Sequence, residues 1–239
     1  FTRGYDKLIN IWGSDHIGYV PRMLSMLNSL TDKNNFLEIV ICQIVRLIKN
    51  NKLLKMSKRE GNFISIKEVY DQVGKDALRY FMISSKSDTP MDFNMNKVIE
   101  KNKDNPVFYC QYAYARASSV LRKSHEFKQF KNFNDSFNNF DQSKISEHEW
   151  KIIFKLLCWP YLIFHIGKTK QPHKLINYLE DLCYNFHSLW NKGKEDESLR
   201  FIDESDVDKT ISKLIWIGAF KKILNETFKI IGIDSPETM

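Results

Sequence analysis

Near residue 104 the hydrophobic pattern of this chain changes period, and that change limits the fold more than any other feature. Before it, short β-branched runs alternate with helical spacings. Leu8-Ile9-Asn10-Ile11-Trp12, closed by Gly13, predicts a buried strand. Met23, Leu24, Met26, Leu27 and Leu30 then recur at helix spacing behind Pro21, and Phe36 to Ile48, rich in Ile and Val, predicts a second strand or strand pair. Strand, helix, strand is the order of a parallel α/β sheet. From Asn105 onward the strand pattern disappears. Helices are predicted from Pro106 to Leu121 and over about 147–159, 172–190 and 208–231, with Pro160 ending or kinking the first of the last three. Phe127 to Asn139, rich in Asn, Phe and Lys, predicts a mobile connection. With only 9 Gly and 6 Pro in 239 residues, long elements are favoured over many tight turns. The fold class expected is α/β followed by all-α, with an α/β portion over 1–103 and an antiparallel helical bundle over 104–239.

Composition narrows the function. Apolar residues make up 43% and aromatics 13%, enough for a sizeable core and too much for a disordered chain. No apolar run approaches the roughly 20 residues that cross a bilayer, and no secretory signal opens the chain, so a cytoplasmic protein without a membrane is expected. The sequence opens on Phe1 in mid-pattern, from which a piece of a longer protein is expected. The net charge of +7 suits a polyanionic partner without proving one. The four cysteines Cys42, Cys110, Cys158 and Cys183 form no C-x-x-C pair and lie in apolar stretches, as buried free thiols of a reducing compartment would. No histidine pair has metal-ligand spacing, so no metal site is expected.

Two local patterns could carry chemistry. The segment from Arg46 to Lys67 holds seven basic residues and one acid, Glu60, and its centre is Lys55-Met56-Ser57-Lys58-Arg59. Two lysines three apart around a small hydroxyl residue can surround a triphosphate, their ammonium groups neutralising charge that grows on a departing pyrophosphate. Gly61 lets such a loop close. Alone, this segment reads far more readily as a solvated basic turn. The second pattern is Gly13-Ser14-Asp15-His16 at the carboxyl end of the predicted strand, where α/β sheets bind ligands and where Asp15 could accept bonds from ribose hydroxyls. It could also be an ordinary strand-to-helix turn capped by Asp15. Further on, Ser65 with Glu68 predicts a capping box.

Taken in order and spacing, Gly13-x-Asp15-His16 and, about 40 residues later, Lys55-Met56-Ser57-Lys58 resemble the second half of a class I aminoacyl-tRNA synthetase catalytic domain, and specifically the arginyl-tRNA synthetase family of a bacterial, alphaproteobacterial type. Ile11 to Arg22, Asp76-Ala77-Leu78-Arg79, Asn105 to Arg116, Phe186-His187-Ser188-Leu189-Trp190-Asn191-Lys192-Gly193, Leu199 to Ile202 and the closing Pro236-Glu237-Thr238-Met239 extend the resemblance over nearly the whole chain. Ile17 stands where the family often has a second His, and Phe186 where it often has Tyr.

The resemblance implies a Rossmann-like catalytic portion followed by an anticodon-binding bundle of the type named for the Asp-Ala-Leu-Arg motif. It implies ATP-dependent attachment of arginine to tRNA(Arg) through an arginyl-adenylate, with Mg2+ accompanying ATP and no resident metal, by a monomer. Lys55 and Lys58 would be catalytic, and Gly13, Asp15, His16, Met56 and Ser57 would bind ATP. Tyr109, Tyr112, Arg116, Phe186, Trp190 and Met239 would bind the anticodon. The family's H-x-G-H motif and arginine pocket lie upstream and do not occur here, so this portion alone is expected to be inactive. Tyr109, Tyr112 and Arg116 share one face at i, i+3 and i+7, and Phe186 and Trp190 share another at i and i+4. Aromatics with an arginine can catch splayed RNA bases, though the same spacing also builds cores. Two alternatives remain open at this point: a helical RNA-binding module without chemistry, and another class I synthetase such as the cysteinyl type, in which zinc ligands would be expected.

Overall fold

The computed structural model describes residues 3–30, 36–54, 64–130, 138 and 140–239. Strand β1 (Leu8–Gly13) is followed by a 3-10 segment (Ser14–Tyr19), helix α1 (Val20–Leu30) and strand β2 (Leu37–Cys42), which pairs with β1 in parallel. This is the predicted strand–helix–strand unit. Strand β3 (Val45–Lys49), continuous in pattern with β2, belongs to a second sheet. There it pairs in parallel with β5 (Met91–Asn94) and antiparallel with β4 (Lys52–Leu53). The chain leaves the first sheet at Gln43, whose N–H donates to the Ser87 carbonyl at 2.7 Å.

Between β4 and β5 lie helices α2 (Ile66–Val73) and α3 (Lys75–Ser84). Ser65 and Glu68 form the expected capping box, each accepting from the other's backbone N–H. Gly74, at φ 81°, separates the two helices. Leu47, Val69, Val73, Ala77, Leu78, Phe93, Met95 and Val98 close a small core between this helix pair and the second sheet.

The remainder is helical: α4 (Pro106–Ser124), α5 (Glu147–Thr169), α6 (His173–Glu195) and α7 (Val207–Ile231). Asn105 caps α4 by accepting from the Val107 N–H, with Pro106 harmless in the first turn. A larger core joins these four helices and takes in Tyr80 of α3, whose hydroxyl donates to Glu180 of α6 at 2.7 Å. Helix α3 therefore contributes to both cores.

Three expectations need correction. Helix α5 does not end at Pro160. A proline costs the helix one N–H and leaves the Leu156 carbonyl without that donor, but the helix runs on through Pro160, which lies on its exposed side. The turns beyond it are held by Ile163 and Ile166 against the core, and just before it Trp159 donates to Thr227 at 3.0 Å. The resulting 23-residue helix is long and apolar enough to cross a bilayer by length and composition, although Ile152 and Leu156 pack into the bundle. Second, of the four free cysteines only Cys110 and Cys183 are buried, while Cys42 and Cys158 are partly exposed. Third, the connection after α4 is anchored at its start, where Phe130 is fully buried. Residues 131–137 and 139 lie outside the described residues.

Candidate nucleic-acid interface

Helices α4 and α6 pack side by side, and their shared rim carries the aromatic and cationic groups singled out by the sequence. Arg116 is held between two rings, its guanidinium carbon 4.1 Å from the centre of Tyr112 and 4.8 Å from that of Trp190. One of its terminal nitrogens donates to His187 Nδ1 at 2.8 Å and the other to the Tyr112 hydroxyl at 3.1 Å. A guanidinium only donates, so Nδ1 must be the bare acceptor and Nε2 must carry the proton. That Nε2–H donates to the Tyr109 carbonyl at 3.0 Å. Tyr109 and Tyr112 also flank the imidazole, with ring centres 4.2 and 5.7 Å away. Burial holds His187 neutral, its pKa lowered to about 4, and the neighbouring Arg116 charge acts in the same direction. Burial also raises the Tyr109 hydroxyl above its ordinary value. Among the described residues, Arg116 Nε is buried with no hydrogen-bond partner. The guanidinium thus fixes the Tyr112 and Trp190 rings on the rim and sets a positive charge between them, a combination that suits a planar base or a phosphate.

Beside Trp190 the rim opens into a 320 Å³ pocket bordered by Lys123, Lys194 and Arg200. Its outer wall, residues 197–202, is pinned from inside. Lys213 is buried and donates to the carbonyls of Ser198 at 3.1 Å and Arg200 at 2.6 Å, with Glu149 at 3.9 Å as its counter-charge. The wall approaches α6 closely at Gly193, where a Cβ would sit 3.3 Å from the Leu199 carbonyl oxygen. Toward the other end of α4, Phe108 stacks near Tyr112 with centres 6.1 Å apart, and Met239, about half exposed, shares a 550 Å³ cleft with Phe108 and Gln111.

Of the expected anticodon residues, the structure therefore brings Tyr109, Tyr112, Arg116 and Trp190 together and sets Met239 at the end of the same helix face. Phe186 is a correction. Its ring is fully buried, 4.4 Å from Phe220 and 5.5 Å from Phe201, and supports Trp190 from below rather than offering a face to a base. His187, Lys194, Arg200 and Lys213 were not singled out by the sequence. Lys213 left a signal, a lone lysine inside the apolar run Ile211–Phe220, which implies a buried charge with partners.

In the first sheet Gly13 closes β1 opposite Cys42, at the carboxyl edge of the parallel pair. Asp15 and His16 follow on the 3-10 segment with exposed side chains 3.5 Å apart. Lys55, Met56, Ser57 and Lys58 lie outside the described residues. Among the described residues, no group of three or more His, Cys, Asp or Glu side chains is placed to hold a metal ion.

Comparison with known proteins defines the class. Residues 110–239 match the DALR anticodon binding domain, and residues 3–96 match the class I tRNA synthetases of the I, L, M and V group. The chain belongs to the DALR anticodon binding domain family. Over its whole length it is similar to arginine–tRNA ligases: 40% identical over 240 residues to that of Parvibaculum lavamentivorans and 39% over 239 residues to that of Ruegeria pomeroyi. It spans 41% of the length of these relatives. A Campylobacter jejuni protein described as an arginyl-tRNA synthetase superimposes on all of this chain and 49% of its own, with a TM-score of 0.81 at 32% identity. The Thermus thermophilus arginyl-tRNA synthetase shares the fold, with a TM-score of 0.75 at 18% identity, covering all of this chain and 42% of its own.

Proposed function

We propose that this chain is the part of an arginine–tRNA ligase that grips the anticodon and supplies one side of the nucleotide site. The observation that carries this reading is the Tyr112–Arg116–Trp190 stack on the α4–α6 rim, within a chain similar throughout to arginine–tRNA ligases. Residues 1–103 form the catalytic-side portion and 104–239 the RNA-binding bundle.

In the reaction, the arginine carboxylate attacks the α-phosphorus of Mg2+-bound ATP. The bond to the β-phosphate oxygen breaks, giving arginyl-adenylate and pyrophosphate. A terminal ribose hydroxyl of tRNA(Arg) then attacks the activated carbonyl, and AMP leaves. Asp15 accepts from ribose hydroxyls, with His16 beside it and Gly13 beneath the nucleoside. Lys58 neutralises the departing pyrophosphate, and Lys55, Met56 and Ser57 hold the loop and phosphates. On the bundle, bases stack against the Tyr112 and Trp190 faces, while Tyr109 and Met239 border the site. The protein works as a cytoplasmic monomer. Support for a larger catalytic part comes from β1, whose Ile9 and Ile11 are exposed, although parallel strands are normally covered on both faces.

The test is direct binding of tRNA(Arg) to the 239-residue chain across a salt series. Lys123, Lys194 and Arg200 beside the stack should each release counterions from phosphate, so log affinity should fall linearly with log salt. Binding that ignores salt, or none at low salt, contradicts the assignment.

A further inference from the structure

The motif Asp76-Ala77-Leu78-Arg79 lies upstream of the matched bundle, yet two of its side chains reach the other end of the sequence. Asp76 Oδ1 accepts from the backbone N–H of Asp234 at 3.2 Å, and Asp76 Oδ2 accepts from Gln111 Nε2 of α4 at 2.7 Å. The same Gln111 nitrogen also donates to the Asp234 carbonyl at 3.1 Å. Arg79 Nε donates to the carbonyl of Ile231, the last residue of α7, at 2.6 Å. Lys75 pairs with the Asp234 carboxylate. Between these contacts stands Gly232, at φ 77°, where a Cβ would lie 2.3 Å from Arg79 Nε. The turn thus needs glycine twice, for its backbone and for the guanidinium packed against it. Beyond it Ile233 is buried, and the strap ends at Met239 in the cleft that Phe108 and Gln111 share.

We propose that Asp76 and Arg79 are positioning residues. They form a latch through which α3 holds the strap 232–239, and with it Met239, against the amino-terminal end of α4, completing the RNA-binding face. The strap has few alternative anchors: Ile233 in the core, Lys75 on Asp234, and the exposed Lys221–Glu237 pair at 2.6 Å. Exposed pairs of this kind stabilise weakly. Because α3 also contributes Ala77 and Leu78 to the small core beneath β3, the latch ties the position of Met239 to the catalytic-side portion of the chain. This inference rests on the reading of Met239 as part of the RNA site.

The test compares four proteins for tRNA(Arg) affinity and melting temperature: the chain itself, Asp76→Ala, the chain ended after Ile233, and the combination. Asp76→Ala and the truncation should each weaken binding about tenfold, and the combination should be no weaker than either, because both remove the same positioned tail. Hydrogen exchange at the Asp234 amide should accelerate in Asp76→Ala while the amides of α7 keep their protection. If Asp76→Ala lowers melting, Gln111→Met takes its place, since it removes one donor from both Asp76 and Asp234. A truncation that binds tRNA as the whole chain does overturns the reading of Met239, and the latch with it. A truncation that weakens binding while Asp76→Ala and Gln111→Met leave it unchanged, or losses that simply add, overturns the latch alone.

Discussion

Replacing Lys58 by alanine in the complete ligase is expected to slow arginyl-adenylate formation by 10²–10³, about 2.7–4 kcal/mol, while arginine binding stays nearly unchanged. The asymmetry follows from where the charge develops. In bound ATP the phosphates are already neutralised by their metal ion and the surrounding donors. As the bond to the β-phosphate oxygen breaks, negative charge grows on pyrophosphate, and on the proposed reading the Lys58 ammonium would stabilise the transition state more than the ground state. On the same reading the arginine pocket lies upstream of this chain, so the loss should leave arginine binding alone. Single-turnover ATP consumption with saturating arginine measures the effect. A normal activation rate in Lys58→Ala would remove the lysine loop from the mechanism.

The second large effect is on stability and concerns His187. Its folded-state pKa is lowered from 6.5 to about 4, because the ring is buried and Arg116 donates to it. Between those values the unfolded chain binds a proton that the folded chain refuses. The contribution of neutral His187 is therefore complete above about pH 6.5, shrinks as pH falls, and is gone below about pH 4. The whole change is about 3 kcal/mol, at 1.36 kcal/mol per pH unit of displacement. Carboxylates with lowered pKa values, among them Asp141 and Asp206, lose stability over an overlapping acid range. The measurement is therefore a difference: denaturant melts of the chain and of His187→Gln between pH 4 and 7.5. Glutamine can still accept from Arg116 and donate to Tyr109 but does not titrate, so its stability should fall less steeply toward acid. Parallel curves for the two proteins would contradict the buried neutral histidine.

Local features were legible in the sequence and non-local ones were not, for physical reasons. The loss of strand pattern at Asn105, the Ser65–Glu68 capping box and the shared face of Tyr109, Tyr112 and Arg116 all depend on residues within two turns of one another. Helical periodicity records them directly. Strand β5 escaped because Met91-Asp92-Phe93-Asn94 alternates apolar and polar residues for only two repeats, too short a run to stand out, and its partners lie 46 positions away. Whether Phe36 to Ile48 held one strand or a pair stayed open because Gln43-Ile44 holds neither Gly nor Pro, and that the two strands belong to different sheets left no mark in the run. Phe186 and Trp190, one turn apart on α6, look equivalent in sequence. Only the position of Phe201 and Phe220 decides that the first is core and the second is rim. The aromatic face proposed for RNA could be drawn from α4, but its supports, His187 under Arg116 and Lys213 behind the pocket wall, come from other helices. The motif Asp76–Arg79 was visible as a signature, while its partners at Ile231 and Asp234 were not.

The central claim is that the rim aromatics meet RNA rather than merely fill the bundle. Tyr112→Ala and Trp190→Ala put it to the test most directly when tRNA(Arg) affinity and melting temperature are measured on the same samples. If each ring stacks one base, each substitution should cost about 1–3 kcal/mol of binding, five- to hundredfold or so in affinity, with the bundle still folded. Unchanged affinity in the folded fraction of either variant, or loss that only tracks unfolding, would return these rings to the core and contradict the account.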